Sequence, residues 1–148
     1  MGVDITGKKP LNKTGEYFRS NWWYWRPLVT LMEKASPELF GEVEYWGTND
    51  GDGLKTQSDC DAMVKALDKM DYKEVIALQQ ALIDALPDEK CNLCQGTGKR
   101  KDFPDQKHCN KCHGKGKVRP MEANYPYDEG HTKEWMEFLS CCGGFEIW

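Results

Sequence analysis

Long apolar runs are missing from this chain of 148 residues. No stretch approaches the roughly 20 apolar residues that a membrane-crossing helix requires, and the mean hydropathy is −0.74. At the N-terminus, Met1-Gly2-Val3-Asp4-Ile5, no basic region precedes an apolar stretch, so no secretion signal is expected. The expectation is a soluble, cytoplasmic protein without membrane contact. Gly2 with Thr6 meets the minimal myristoylation pattern, but no basic cluster nearby supplies the second anchor that stable attachment needs. Large apolar side chains are scarcest between residues 88 and 119, where only Leu93, Phe103 and Val118 occur. That segment cannot fold around a core of its own.

Cysteine is plentiful instead. Seven cysteines without a signal peptide point to a reducing compartment, where a Cys-x-x-Cys pair reads as a metal site before it reads as half a disulfide frame. Cys91-Asn92-Leu93-Cys94-Gln95-Gly96-Thr97-Gly98 and Cys109-Asn110-Lys111-Cys112-His113-Gly114-Lys115-Gly116 share the pattern C-N-x-C-x-G-x-G. Two residues between cysteines let a tight turn present both thiolates to one ion, and two such knuckles complete a tetrahedron. The glycines permit positive φ, so the backbone folds back and directs amides at the sulfurs. Cys91, Cys94, Cys109 and Cys112 are therefore the expected ligands of one structural zinc ion, Zn²⁺, whose binding would order the segment. His108 and His113 adjoin ligand positions, but four cysteines already suffice. Four protein ligands close the shell and leave no open position for catalysis.

On these residues the segment resembles the C-x-x-C-x-G-x-G unit of the DnaJ-type cysteine-rich zinc finger. That family's full domain has four repeats and two zinc ions, whereas this chain has two repeats, enough for one. The chain lacks a His-Pro-Asp tripeptide, so the J-domain's ATPase-stimulating activity does not carry over. The resemblance implies a zinc-stapled hairpin used for protein contact. The remainder is similar to an uncharacterised family of small proteins encoded mainly by bacteriophages. The matching stretches are Gly15-Glu16-Tyr17-Phe18-Arg19, Trp22 through Leu28, Thr48 through Leu54, and Cys142-Gly143-Gly144-Phe145-Glu146. This likeness implies the host cytoplasm as location and brings no activity with it.

Charge is unevenly spread. From Lys90 to Arg119, nine basic residues face only Asp102 and Asp105, a formal +7, which leaves eleven basic against twenty-two acidic residues elsewhere, −11. Four thiolates with a divalent ion lower the arm to about +5. A basic arm on an acidic body suits an acidic protein partner, or a nucleic acid held by Lys99, Arg100, Lys101, Lys115 and Lys117.

Aromatic residues are concentrated at Tyr17, Phe18, Trp22, Trp23, Tyr24 and Trp25. Trp22, Trp23 and Trp25, with Arg19 and Arg26, are candidate partner-binding residues, because Trp, Tyr and Arg dominate interface hot spots. Most of these rings would fill the core, yet so short a segment cannot turn all six inward, so one or two are expected to be exposed.

The fold expected is mainly α, about four packed helices with a projecting four-cysteine hairpin; an α+β fold is the alternative. Residues 1–16 read as an irregular lead-in. Pro27 suits the first turn of a helix carrying Leu28, Leu31, Met32 and Ala35, which Ser36-Pro37 stops. Residues 41–57 look extended or looped. Ser58 reads as the N-cap of a helix with Cys60, Met63, Val64, Leu67 and Met70 on one face. A further helix covers Tyr72–Leu86, with Val75, Leu78, Gln79, Leu82 and Leu86 on one stripe. The last covers Thr132–Cys142, with Trp135, Phe138, Leu139 and Cys142 buried, and Gly143-Gly144 gives a left-handed stop. The tail 145–148 alternates like a strand. Residues 1–87 with 120–148 form the expected body, and 88–119 the arm.

Two further patterns are weak. Asp50-Gly51-Asp52-Gly53 resembles an EF-hand loop, but Thr48, Lys55 and Asp59 depart from its ligand pattern, so a polar turn is expected. Cys141 and Cys142, with His131 as base, suggest a thiol enzyme, yet Cys142 falls on an apolar stripe and no third member is visible. Cys60 reads as a core thiol. The composite expectation is a small non-enzymatic zinc-stabilised interaction protein, a phage accessory factor binding a host or viral protein.

Overall fold

The computed structural model describes residues 2–47 and 50–148. Thr48 and Asn49, which begin the turn-rich segment, lie outside the described residues. The chain divides into two compact units, one taking in residues up to Gln80 together with Tyr125–Trp148, the other Ala81–Asn124.

The first unit corrects the mainly α expectation. Strand β1 (Gly2–Gly7) lies at the centre of a three-stranded antiparallel sheet between β2 (Tyr17–Asn21) and β5 (Phe145–Ile147). Val3 pairs with Ser20, and Ile5 with both Phe18 and Ile147. Side chains alternate across a strand, so Val3, Ile5, Phe18, Phe145 and Ile147 all turn inward. Gly2–Gly7 of the expected irregular lead-in is thus a strand, whose Val-Asp-Ile-Thr alternation was obscured by its flanking glycines and by Pro10. Residues 51–54 continue the sheet beyond β5: Gly51 N–H donates to Ile147 O at 2.8 Å, and Ile147 N–H to Asp52 O at 2.8 Å.

Five α-helices occur among the described residues, one more than expected. Helix α1 (Trp22–Ala35) starts five residues before Pro27, because Asn21 caps it by accepting from Tyr24 N–H at 3.1 Å. Ser36 and Pro37 end α1 and also open a short α2 (Pro37–Gly41), with Ser36 as N-cap and Pro37 in its first turn. The cap of α3 (Gln57–Lys69) is Thr56, not Ser58, in a reciprocal capping box with Asp59. Helix α4 (Tyr72–Asp84) buries Tyr72 and Ile76, while Leu78 and Leu82 of the expected stripe are 59% and 65% exposed. Helix α5 (Glu129–Leu139) begins three residues earlier than expected, capped by Asp128, which accepts from His131 N–H at 2.6 Å.

The core is aromatic. Trp135, fully buried, meets Trp25 and Phe145 edge-on at 5.4 and 5.3 Å between ring centroids and stacks on Phe138 at 5.3 Å. Its indole N–H points to Met32 Sδ at 3.1 Å, and that of Trp25 to Trp46 O at 2.8 Å. Among the described residues no buried side-chain nitrogen or oxygen lacks a partner. After α5 the chain turns through Gly143 and Gly144, both at positive φ; a Cβ at Gly143 would lie 2.2 Å from Lys9 O.

The second unit contains the end of α4, a two-stranded antiparallel sheet of β3 (Glu89–Lys90) and β4 (Lys117–Val118), and a 3₁₀ turn at Met121–Asn124. Arg119 closes the helix end by donating to Leu86 O at 2.5 Å and Ile83 O at 3.0 Å, while pairing with Asp88 at 3.1 Å.

Candidate metal centre

The two C-N-x-C-x-G-x-G segments fold as near-equivalent knuckles. Cys91 N–H donates to Gly116 O at 2.9 Å and, reciprocally, Cys109 N–H donates to Gly98 O at 2.8 Å. Gln95, Gly96 and Gly98 have positive φ, and so do their counterparts His113, Gly114 and Gly116. A Cβ on Gly98 would lie 2.5 Å from Gly114 O, and one on Gly116 would lie 2.4 Å from Gly96 O. The glycines are therefore required twice, by backbone conformation and by the close approach of the other knuckle.

All four sulfurs lie within 4.8 Å of one another, and all four cysteines are buried. Cys91 Sγ and Cys109 Sγ are 3.9 Å apart, and Cys94 Sγ and Cys112 Sγ 3.7 Å. A tetrahedron with metal–sulfur bonds of about 2.3 Å has edges of about 3.8 Å, whereas a disulfide would bring two sulfurs to about 2.05 Å. The cluster is thus proportioned for one metal ion. Backbone amides support the sulfurs: Gly98 N–H donates to Cys94 Sγ and Gly116 N–H to Cys112 Sγ, each at 3.2 Å. Burial raises the Cys94 thiol, but the Gly98 amide, the thiols of Cys112 and Cys91 and the Gly96 amide outweigh it and bring Cys94 down to about 6. The Cys109 thiol is lowered as well, while burial, with Cys94 and Cys109 beside it, raises Cys112. His108 and His113 stay exposed, and neither belongs to the cluster.

The remaining candidate residues are distributed unevenly. In the second unit, Lys99, Lys101, Lys115 and Lys117 are exposed, but Arg100 is held by Asp102 and lies over the Phe103 ring at 4.4 Å, so it is not a free cation. In the body, Trp25 is core and unavailable to a partner. Trp23 is 46% exposed and packs on Tyr125 at 5.1 Å. Arg26 sits over the rings of Trp22 and Tyr125 at 5.7 and 5.1 Å. Arg19, exposed, lies 3.7 Å from Asp4. A groove of about 750 Å³ beside them is lined by Trp22, Arg26, Val29, Phe40, Tyr45 and Trp46. Tyr45, within the stretch expected to be extended or looped, is 53% exposed and stands on the rim of this groove.

The thiol-enzyme reading finds no support in the geometry. His131 Nε2 lies 2.8 Å from Ser20 Oγ rather than beside a cysteine, and burial lowers its pKa. Ser20 is itself buried. Cys142 faces Cys60, and Cys141 Sγ donates to Glu137 O at 3.1 Å. Asp52 is a loop anchor: its carboxylate accepts from Glu44 N–H at 2.7 Å and Gly53 N–H at 2.8 Å and pairs with Lys55 at 2.9 Å.

Comparison with protein-family models, with curated proteins and with solved structures gave no match.

Proposed function

We propose that this chain is a small, non-enzymatic protein-interaction module stapled by zinc, acting as a phage accessory factor that binds a host or viral protein in the host cytoplasm. The observation that carries it is the set of four buried sulfurs at tetrahedral spacing in a segment with almost no apolar core. A closed shell of four thiolates suits structural zinc, which has no geometric demand of its own and is bound firmly by sulfur. When bound, the ion supplies folding free energy rather than chemistry. Cys91, Cys94, Cys109 and Cys112 hold it, and the Gly98 and Gly116 amides steady the sulfurs. The resemblance of the repeats to the DnaJ-type finger, and of the remainder to the phage family, supports the same assignment. On the body, the half-exposed Trp23, the Arg26 guanidinium and the groove at Trp22 are the proposed contact surface.

Two measurements test this reading. Elemental analysis of purified protein should find one zinc per chain. Pull-down from cells, with and without a chelator, should retain a specific protein, and Trp23→Ala with Arg26→Ala should release it. Capture of no specific protein under either condition would overturn the interaction role.

A second reading, nucleic-acid binding through the arm, draws on the exposure of Lys99, Lys101, Lys115 and Lys117. Its signature is affinity that falls steeply with salt and flattens when those lysines are neutralised.

A further inference from the structure

We propose that the groove beside β4 in the second unit binds an acidic peptide segment bearing one large apolar side chain. The inference rests on the interaction reading above and names the chemistry of the partner.

The groove, about 520 Å³, is lined among others by Glu89, Lys111, Lys115, Lys117, Val118 and Met121. Its cations are not equally available. Arg119 also borders it but is tied to the end of α4 and to Asp88. Lys111 Nζ donates to Asn92 Oδ1 at 2.7 Å. Lys115 and Lys117 are exposed, and neither forms an ion pair among the described residues. Two free ammonium groups and a third held only by an amide thus face a single carboxylate, Glu89. The apolar part of the wall is Val118, half-buried, and Met121, 63% exposed. Methionine is flexible and polarizable and adapts to varied apolar side chains, and it is enriched at interfaces.

The wall favours a peptide over a nucleic acid. The only ring among the groove's lining residues is the His113 imidazole, so bases have no Trp, Tyr or Phe on which to stack, whereas Val118 and Met121 offer an aliphatic side chain a partner. An acidic segment satisfies the lysines with its carboxylates and covers Val118 and Met121 with its apolar residue. Charge complementarity of this kind sets partner choice and association rate.

The test is fluorescence anisotropy with the zinc-loaded full chain. The probe is a fluorescein-labelled peptide of about ten residues, glutamates flanking a central leucine; the same peptide with glutamine for glutamate, and oligodeoxythymidylate, serve as comparisons. The glutamate peptide should bind, and the glutamine peptide should bind at least about tenfold more weakly. Lys115→Gln with Lys117→Gln, zinc content unchanged, should weaken binding about tenfold, and Met121→Ser about threefold. Lys99→Gln with Lys101→Gln should leave affinity within about twofold, since neither residue lines the groove. Equal affinity for both peptides, tighter binding of oligodeoxythymidylate, or undiminished binding by the double variant overturns the proposal. Should that variant lose its zinc, Met121→Ser decides: unchanged affinity there overturns it. A chain that captures a protein through Trp23 and Arg26 but ignores the glutamate peptide defeats this inference alone. A chain that binds the peptide yet captures no cellular protein defeats the functional reading alone.

Discussion

Cys142 Sγ lies 3.6 Å from Cys60 Sγ, with both residues wholly buried between α3 and the turn after α5. The contact raises the Cys60 thiol, and burial adds to the rise. Neither sulfur is exposed to a reagent, so in the folded protein iodoacetamide at pH 8 should leave Cys60 and Cys142 unmodified while denaturant with chelator exposes all seven cysteines. Mass spectrometry of the alkylated peptides reads this directly. Fast labelling of either residue in the native state would mean that this part of the core opens readily.

The metal centre should fail as a unit. Cys109→Ser is expected to reduce bound metal from one equivalent to below about a tenth and to collapse the amide dispersion of residues 81–124, because metal binding supplies on the order of 10 kcal/mol in comparable sites. Acidification should do the same to the wild type, since protons compete for the thiolates. Metal analysis beside a two-dimensional NMR spectrum follows both effects.

Gly98→Ala tests the close approach of the knuckles. Its methyl would meet Gly114 O at 2.5 Å in a backbone at φ +78°. The expected result is at least about tenfold weaker metal binding, as strain of a few kcal/mol is forced on the folded form. Gly41→Ala, with nothing within 4 Å of its Cβ position, is the control. Chelator competition compares the two.

Asp52 should give stability a dependence on acid. Lys55 and the amides of Gly53, Glu44 and Tyr45 bring its carboxyl down to about 2, against the opposing effect of burial. A carboxyl lowered on folding stabilises the native state fully above its unfolded value near 3.9, and that contribution disappears as pH falls toward 2. Asp52→Ala should cost about 1–3 kcal/mol at neutral pH through its lost hydrogen bonds. The difference from wild type should shrink in urea melts below about pH 3.

Two tryptophans two residues apart should behave oppositely. Trp25→Ala empties the core and should cost about 3–5 kcal/mol. Trp23→Ala, half-exposed, should change stability by about 0.5 kcal/mol or little more while weakening partner capture. Chemical denaturation separates them, and equal losses would contradict the burial described here.

The cysteine cluster was legible before any fold was known, because spacing and glycine placement in each knuckle act over eight residues. Trp135, Phe138 and Leu139 were legible as core for a similar reason: the helical period of α5 is local, whereas Cys142 is buried in the turn beyond the end of α5 at Leu139, not in a helix running to it. Helix starts were read less well. The caps at Asn21, Thr56 and Asp128 lay upstream of the first apolar residue, where Pro27 and Ser58 offered competing signals. Leu78 and Leu82 show the limit of periodicity. A stripe tells which residues share a side of a helix, not whether anything packs there.

What the linear chain decided alone is the chemistry that neighbours in sequence can complete: four thiols with their turns and an excess of lysine in one segment. The three-stranded sheet was beyond its reach. Ile5 meets Ile147 from the opposite end of the chain, and a pairing at that distance is selected by the burial it completes, not by any preference of the residues nearby. The same holds for the lysines. Composition placed the basic residues in one segment and Arg100 found Asp102 two positions away, but folding tied Arg119 to Asp88 and the end of α4 and left Lys115 and Lys117 without an ion pair among the described residues, because only the folded chain brings distant acceptors within reach.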